Sequence, residues 1–247
     1  MTAVRTFAES NIGLVRRENE DSFLLHIPED EDTLLRKGIL AVVADGVGGG
    51  PAGKKASSMA VEIIDNIYFN SGNDNNLRAL SESVQAANLG IYNASRLEPI
   101  LRGMATTCTA AALVNGEAII CHVGDSRIYV LHGREFNQIS EDHTLVNELV
   151  NEGIISRGEA RTHPQRNIIL KSLGSTPYVE PDSHRVKLEI EDILLLCSDG
   201  LHGYASDDEI SSILLSCPVE EAGRRLIKLV LEKGAPDNVT VLILQRT

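Results

Sequence analysis

The stretch from Ile39 to Gly50, ILAVVADGVGGG, restricts this chain more than any other: six apolar residues run straight into an aspartate and then into glycines. Ile39, Leu40, Ala41, Val42, Val43 and Ala44 lack the alternation of a half-exposed strand, so the strand they form must be covered on both faces. Asp45 follows with no polar buffer. A carboxylate at the end of a buried strand must be paired or bind a cation, because desolvating it alone is costly. The glycines let the backbone turn sharply and come close to whatever binds there. Taken alone, the plainer reading is a strand that ends in an Asp-Gly turn. The rest of the chain decides between the two.

A chain of 247 residues can bury a sizeable core. Lys and Arg number 23 against 35 Asp and Glu, a net charge of −12. That balance argues against nucleic acid or an anionic membrane as main partner, and it suits a protein that gathers carboxylates around metal cations. Cys108, Cys121, Cys197 and Cys217 are far apart, with no Cys-x-x-Cys pair and no zinc spacing, and three of them sit in apolar runs. The opening residues MTAVRTFAESN lack the apolar core of a signal peptide, and no stretch approaches the roughly 18 apolar residues of a membrane span. A soluble, cytoplasmic protein is the expectation.

Val4 to Ser10 and Ser22 to Ile27 read as short strands joined by the polar turn Arg16 to Asp21, and Glu29 to Asp32 as a solvated acidic loop. Ala52 to Phe69 and Leu77 to Leu97 have helical periodicity, with a loop at Gly72 to Asn76 between them. Strands follow at Thr106 to Val114, Ala118 to Val123, Arg127 to Leu131 and Phe136 to Ile139. Asn115-Gly116, Gly124-Asp125 and His132-Gly133 lie between them as hairpin signals, so an antiparallel meander is predicted. Glu141 to Glu152 reads as helix and Gly153 to Gln165 as an irregular polar flap. Further strands are expected at Asn167 to Leu173, Ser183 to Leu188, Asp192 to Cys197 and Val239 to Gln245. Between the last two, Ser206 caps a helix over Asp207 to Ser216, and Pro218 opens another that reaches Lys233. No repeat or linker divides the chain, so one domain over residues 1–247 is expected, with sheets sandwiched between helical layers.

Gly48 to Lys55, GGGPAGKK, nearly matches a phosphate-binding loop, and it follows a strand and opens a helix as that motif requires. Two features speak against it. Lys55 stands where a hydroxyl residue would hold Mg²⁺, and the hairpins of residues 106–139 break the parallel strand-helix alternation such a fold needs.

Four separated motifs share one grammar, a carboxylate at a strand end beside glycine or another polar residue: Asn19-Glu20-Asp21, Asp45-Gly46, Ser198-Asp199-Gly200 and Asp237-Asn238. A fifth, Gly124-Asp125-Ser126-Arg127, lies in the meander, where Asp125 could simply pair with Arg127. Each alone could be a turn. Together with Gly13-Leu14-Val15-Arg16, Gly103-Met104-Ala105-Thr106-Thr107, Asp142-His143-Thr144-Leu145-Val146 and His163-Pro164-Gln165-Arg166-Asn167, they closely resemble the metal-dependent serine/threonine phosphatases of the protein phosphatase 2C type, in their bacterial branch. Order and spacing match over nearly the whole chain.

The resemblance implies an α+β fold, a four-layer α/β/β/α sandwich of two mostly antiparallel sheets flanked by helices. It implies hydrolysis of phosphoserine and phosphothreonine in proteins by direct attack of a water bridging two Mn²⁺ or Mg²⁺ ions. By resemblance, Asp45 bridges the metals and the Gly46 carbonyl completes one shell, Asp199 and Asp237 ligate the other metal, and Glu20 and Asp21 act through coordinated water. Asp125, with Asp199, matches the position of a third metal in bacterial relatives, and Arg16 matches the arginine that grips the phosphate. Phosphorylated proteins and a cognate Ser/Thr kinase are the implied partners of a monomer acting in bacterial signalling. The residues support the grouping, since hard divalent cations take oxygen ligands and no Cys or His cluster competes. Val47, Gly50 and Lys54 depart from the family pattern and leave the general acid unnamed; a metal-bound water could serve, and His143 and His163 are weaker candidates, each more readily structural. The alternative of another class is a regulatory module that binds phosphoproteins or kinases with little or no turnover.

Overall fold

The computed structural model of the chain describes residues 3–47 and 51–247, Pro51 by its backbone only. In chain order the elements are β1 (Val4–Asn11), β2 (Ser22–His26), α1 (Glu31–Lys37), β3 (Ile39–Ala44), β4 (Gly46–Val47), α2 (Pro51–Asn70), α3 (Asn76–Leu97), β5 (Ala105–Thr106), β6 (Cys108–Val114), β7 (Glu117–Val123), β8 (Arg127–His132), β9 (Glu135–Gln138), α4 (Leu145–Asn151), α5 (Arg157–Thr162), β10 (Asp182–Lys187), β11 (Ile193–Cys197), α6 (Asp199–His202), α7 (Asp207–Ser216), α8 (Val219–Glu232) and β12 (Val239–Arg246).

Strand β3 explains the layering. Every one of its residues is buried, and because successive side chains leave a strand on opposite faces it feeds two cores at once. Leu40, Val42 and Ala44 join a core with Ala60, Ile64, Leu80, Val84 and Ile91 of α2 and α3. Ile39, Ala41 and Val43 instead meet Ile128, Leu194, Leu196, Leu242 and Leu244 of a second sheet. The outer face of that second sheet packs through Leu195, Cys197, Val241 and Ile243 on Ile210, Leu214, Leu226 and Val230 of α7 and α8. The sheets run β10-β7-β6-β3-β2 and β1-β12-β11-β8-β9, every pairing antiparallel. The predicted α/β/β/α sandwich is the architecture observed. Among the described residues, no helix is long and apolar enough to cross a membrane.

Several local expectations are corrected. Gly124-Asp125 is not a hairpin turn: β7 pairs with β6 and β10 while β8 pairs with β11 and β9, so the chain crosses here from one sheet to the other. The strand expected at Asn167 to Leu173 is reduced to two isolated bridges, Thr144 to Ile169 and Thr106 to Leu173. The acidic loop at Glu29 to Asp32 is the start of α1, whose first turn Asp30 caps by accepting from Thr33 N–H. Helix α4 begins only at Leu145, because Thr144 is its cap and Asp142 and His143 are bonded elsewhere. The irregular flap contains α5, announced by the capping box Ser156 and Glu159. Gly48 to Gly50 of the phosphate-loop resemblance lie outside the described residues, and Lys54 and Lys55 are exposed on α2.

Candidate metal centre

Strand β3 carries Asp45 to one end of the sandwich, where two threonines fix its backbone. The Asp45 N–H donates to Thr107 Oγ1 at 2.9 Å, and its carbonyl accepts from Thr106 Oγ1 at 2.8 Å and from the Thr107 N–H at 2.9 Å. This is why the strand expected from Thr106 breaks at Thr107: that residue serves Asp45 in place of the sheet. Thr107 Oγ1 also meets Ser126 Oγ at 2.8 Å, which ties Asp45 to the crossing that carries Asp125.

Three histidines hold that crossing. His143 Nδ1 accepts from the Gly124 N–H at 2.9 Å, so its Nε2 donates to Asp182 Oδ2 at 3.1 Å. His122 Nε2 donates to the Gly124 carbonyl at 3.0 Å, and His202 Nε2 donates to the Asp125 carbonyl at 2.9 Å. Burial pushes His122 down to about 4 and His202 down to about 3, so both rings are neutral at ordinary pH. Arg127 does not pair with Asp125, correcting that reading; its Nη2 donates to Asp142 Oδ2 at 2.6 Å and its Nη1 to Tyr129 at 2.9 Å.

The other carboxylates arrive from both ends of the chain. Asp21 Oδ2 accepts from Thr240 Oγ1 at 2.6 Å and from Ser198 Oγ at 2.8 Å. It therefore joins β12 to the residue before Asp199, which opens α6. Asn238 is a hub: its Oδ1 accepts from the Glu20 N–H at 2.9 Å, and its Nδ2 donates to the carbonyls of Ile12 at 2.9 Å and Glu18 at 3.1 Å. Gly200 lets α6 approach this hub, since a Cβ there would stand 1.8 Å from the Asn238 carbonyl oxygen. Arg16, half exposed, donates from Nη2 to Asp237 Oδ2 at 2.6 Å.

The electrostatics follow from this crowding. Burial, and then the charges of Asp21, Asp199, Asp125 and Asp237, push Asp45 well above the usual carboxylate range. Burial, then Asp125, Asp237 and Asp21, does the same to Asp199. Asp21 is pushed up to about 6 by burial, against the hydrogen bonds from Thr240 and Ser198. Burial and the charge of Asp142 push Asp125 up to about 7. Arg16 is held above its ordinary value by its hydrogen bond to Asp237, with Glu20 and Asp45 adding charge.

Among the described residues, no three or more His, Cys, Asp or Glu side chains already form a closed metal-binding group. The chemistry of the donors is nevertheless that of a hard-cation site. They are all oxygens, they repel one another, and Asp125 Oδ1 is buried without a hydrogen-bond partner among the described residues. The residues present therefore fit divalent Mn²⁺ or Mg²⁺.

All eight residues singled out in the sequence, Arg16, Glu20, Asp21, Asp45, Gly46, Asp125, Asp199 and Asp237, belong to the segments that meet at this end. What the sequence reading missed is the set of hydroxyl and amide groups that aim them: Thr106, Thr107, Ser126, Ser198, Asn238 and Thr240. Ser126, Ser198 and Asn238 each adjoin a carboxylate in sequence, whereas Thr106, Thr107 and Thr240 have no acid within two residues of them.

The chain matches the family model described as protein phosphatase 2C over residues 18–236. It is 38% identical to the serine/threonine protein phosphatase PstP of Mycobacterium tuberculosis over 240 residues, which is 97% of this chain but 44% of that protein. It thus spans less than half of that relative's length. The serine/threonine phosphatase stp of Listeria monocytogenes is 36% identical over 239 residues, covering 95% of this chain and 92% of that protein. Among solved structures, the catalytic domain of a serine/threonine protein phosphatase PstP in complex with two manganese ions superposes with a TM-score of 0.85 at 36% identity, covering 98% of this chain and 97% of that one.

Proposed function

The chain belongs to the protein phosphatase 2C family, and from that premise we propose that it is a metal-dependent protein serine/threonine phosphatase acting as one domain over residues 1–247. The observation that carries the reading is the cluster of Asp21, Asp45, Asp125 and Asp199, each raised by burial among like charges, beside an exposed Arg16. Asp45 and the Gly46 carbonyl would hold two Mn²⁺ or Mg²⁺ ions together with Asp199 and Asp237, with Glu20 and Asp21 acting through water and Asp125 available to a third ion. When bound, these cations supply neutralisation of the phosphoryl oxygens and a water acidic enough to lose its proton near neutral pH.

The chain's own residues do the rest. Arg16 offers a forked guanidinium to the phosphoryl oxygens from a loop that also contacts Asp237. Asp21 and Asn238 keep the N-terminal and C-terminal halves of the site in register. His143 is not a proton donor to the leaving alcohol, because its one N–H is committed to Asp182. Residues 144–166 form a flap in this reading, and the partners are phosphorylated proteins and a cognate kinase met by a monomer in the cytoplasm.

Release of phosphate from a phosphothreonine peptide tests the proposal. Turnover is expected to require Mn²⁺ or Mg²⁺ and to vanish in Asp237→Ala; turnover that persists in excess chelator would overturn it.

A further inference from the structure

We propose that Leu14 and Val15 form an apolar step on which a substrate polypeptide rests the residues flanking its phosphoserine or phosphothreonine, an inference that rests on the phosphatase reading above. Large aliphatic side chains gain most by burial, yet Leu14 is 65% and Val15 67% exposed. They directly precede Arg16, a cation placed on the rim of the carboxylate cluster by its contact with Asp237.

The loop that presents them is built rather than loose. The Leu14 N–H donates to the Ala235 carbonyl at 2.9 Å, and the Gly13 N–H donates to Asn11 Oδ1 at 2.9 Å. Gly13 has φ +78°, and a Cβ there would stand 2.2 Å from the Asp237 carbonyl oxygen. The step is therefore locked onto the same 235–237 segment that carries Asp237.

Continuity selects the occupant. Leu14 and Val15 adjoin Arg16 in the chain, and the Leu14 N–H is bonded to Ala235, two residues before the Asp237 that Arg16 contacts. The partner this surface fits is therefore the substrate chain itself, with aliphatic residues beside the phosphorylated one.

The test compares kcat/KM in Mn²⁺ for two phosphothreonine peptides, one flanked by Leu and Val and one by Ser and Gly, and for p-nitrophenyl phosphate, which has no flanks. Wild type is expected to prefer the apolar-flanked peptide roughly ten-fold, the size of one small apolar contact. The double variant Leu14→Ser, Val15→Ser is expected to lose that preference with its melting temperature and its p-nitrophenyl phosphate rate unchanged. A preference absent from wild type or surviving in the variant would overturn the proposal while leaving the phosphatase reading intact. A concentration-dependent dimer in sedimentation that the double variant abolishes would also overturn it, assigning the step to a second copy of the chain. Wild type that turns over none of the three substrates would overturn the phosphatase reading and this proposal with it.

Discussion

Arg127 grips Asp142 through Nε and Nη2, whereas Asp125, close enough to feel the charge of Asp142, has one buried oxygen with no hydrogen-bond partner among the described residues. Burial pushes Asp142 up, but the hydrogen bonds and charge of Arg127 outweigh it and leave that carboxyl below its ordinary value. Burial pushes Asp125 up as well, and the charge of Asp142 adds to it, so that despite the lowering charge of Arg127 it rises to about 7. Arg127 thus balances one of two buried acids and not the other. The Asp142 pair is balanced within the polypeptide. In the proposed function the cluster of Asp21, Asp45, Asp125 and Asp199 would draw its cations from outside the polypeptide, and that dependence would separate a site from a structural ion pair.

Mutations break this contrast in opposite directions. The largest effect is expected at the cluster's centre: Asp45→Asn lowers phosphopeptide turnover by roughly 10³-fold or more, about 4 kcal/mol of transition-state stabilisation, measured at saturating Mn²⁺. On the balanced side, Arg127→Met leaves Asp142 buried and alone, and urea unfolding is expected to show a loss of about 3–5 kcal/mol. Asp125→Asn should do the reverse in chelator, raising stability by roughly 1–2 kcal/mol because it removes one of several repelling charges, while calorimetry shows weaker Mn²⁺ binding.

Stability against pH sharpens the same contrast. Asp21 and Asp125 titrate near 6 and 7 in the fold, against about 3.9 for an unfolded aspartate. Between those values the folded chain holds more protons than the unfolded one, so the stability present in mild acid is lost as pH rises toward 7. The melting temperature in chelator is expected to fall from pH 5 to pH 7.5, and the gap between chelated and Mn²⁺-loaded protein to widen. A gap independent of pH would show that these carboxylates do not bind the cation. The smallest effect is expected at Thr240→Val, which removes one hydroxyl from Asp21 and costs about 1 kcal/mol, read from the urea midpoint.

The covered strand was legible in the sequence because an uninterrupted apolar run such as residues 39–44 lacks the alternation of a half-exposed strand. The acids were legible only as a set, since each alone reads as a turn and their order along the chain is what resembles the family. The crossing at Gly124-Asp125 was not legible, because its local chemistry is that of a hairpin and only sheet membership separates the two. The run Asn167 to Leu173 has strand-forming residues but only bridge partners, and pairing is a property of the neighbours rather than the run. The support shell stayed hidden for a third reason. Asn238 and Thr240 act on Glu20 and Asp21 across more than two hundred residues, and Ser198 acts on Asp21 across 177, and no local pattern records such a contact.

That separation sets a schedule for the molecule as it is made. Strand β12 lies between β1 and β11, and the link from Arg16 to Asp237 spans 221 residues. At roughly 5–20 residues per second on the ribosome, Arg16 and Asp21 emerge on the order of ten seconds or more before Asp237 and Thr240 exist. During that interval the first sheet can assemble around β3, but the second has a gap where β12 belongs. A nascent chain of this design can bury its first core early, and the carboxylate cluster stays incomplete until synthesis has passed Thr240.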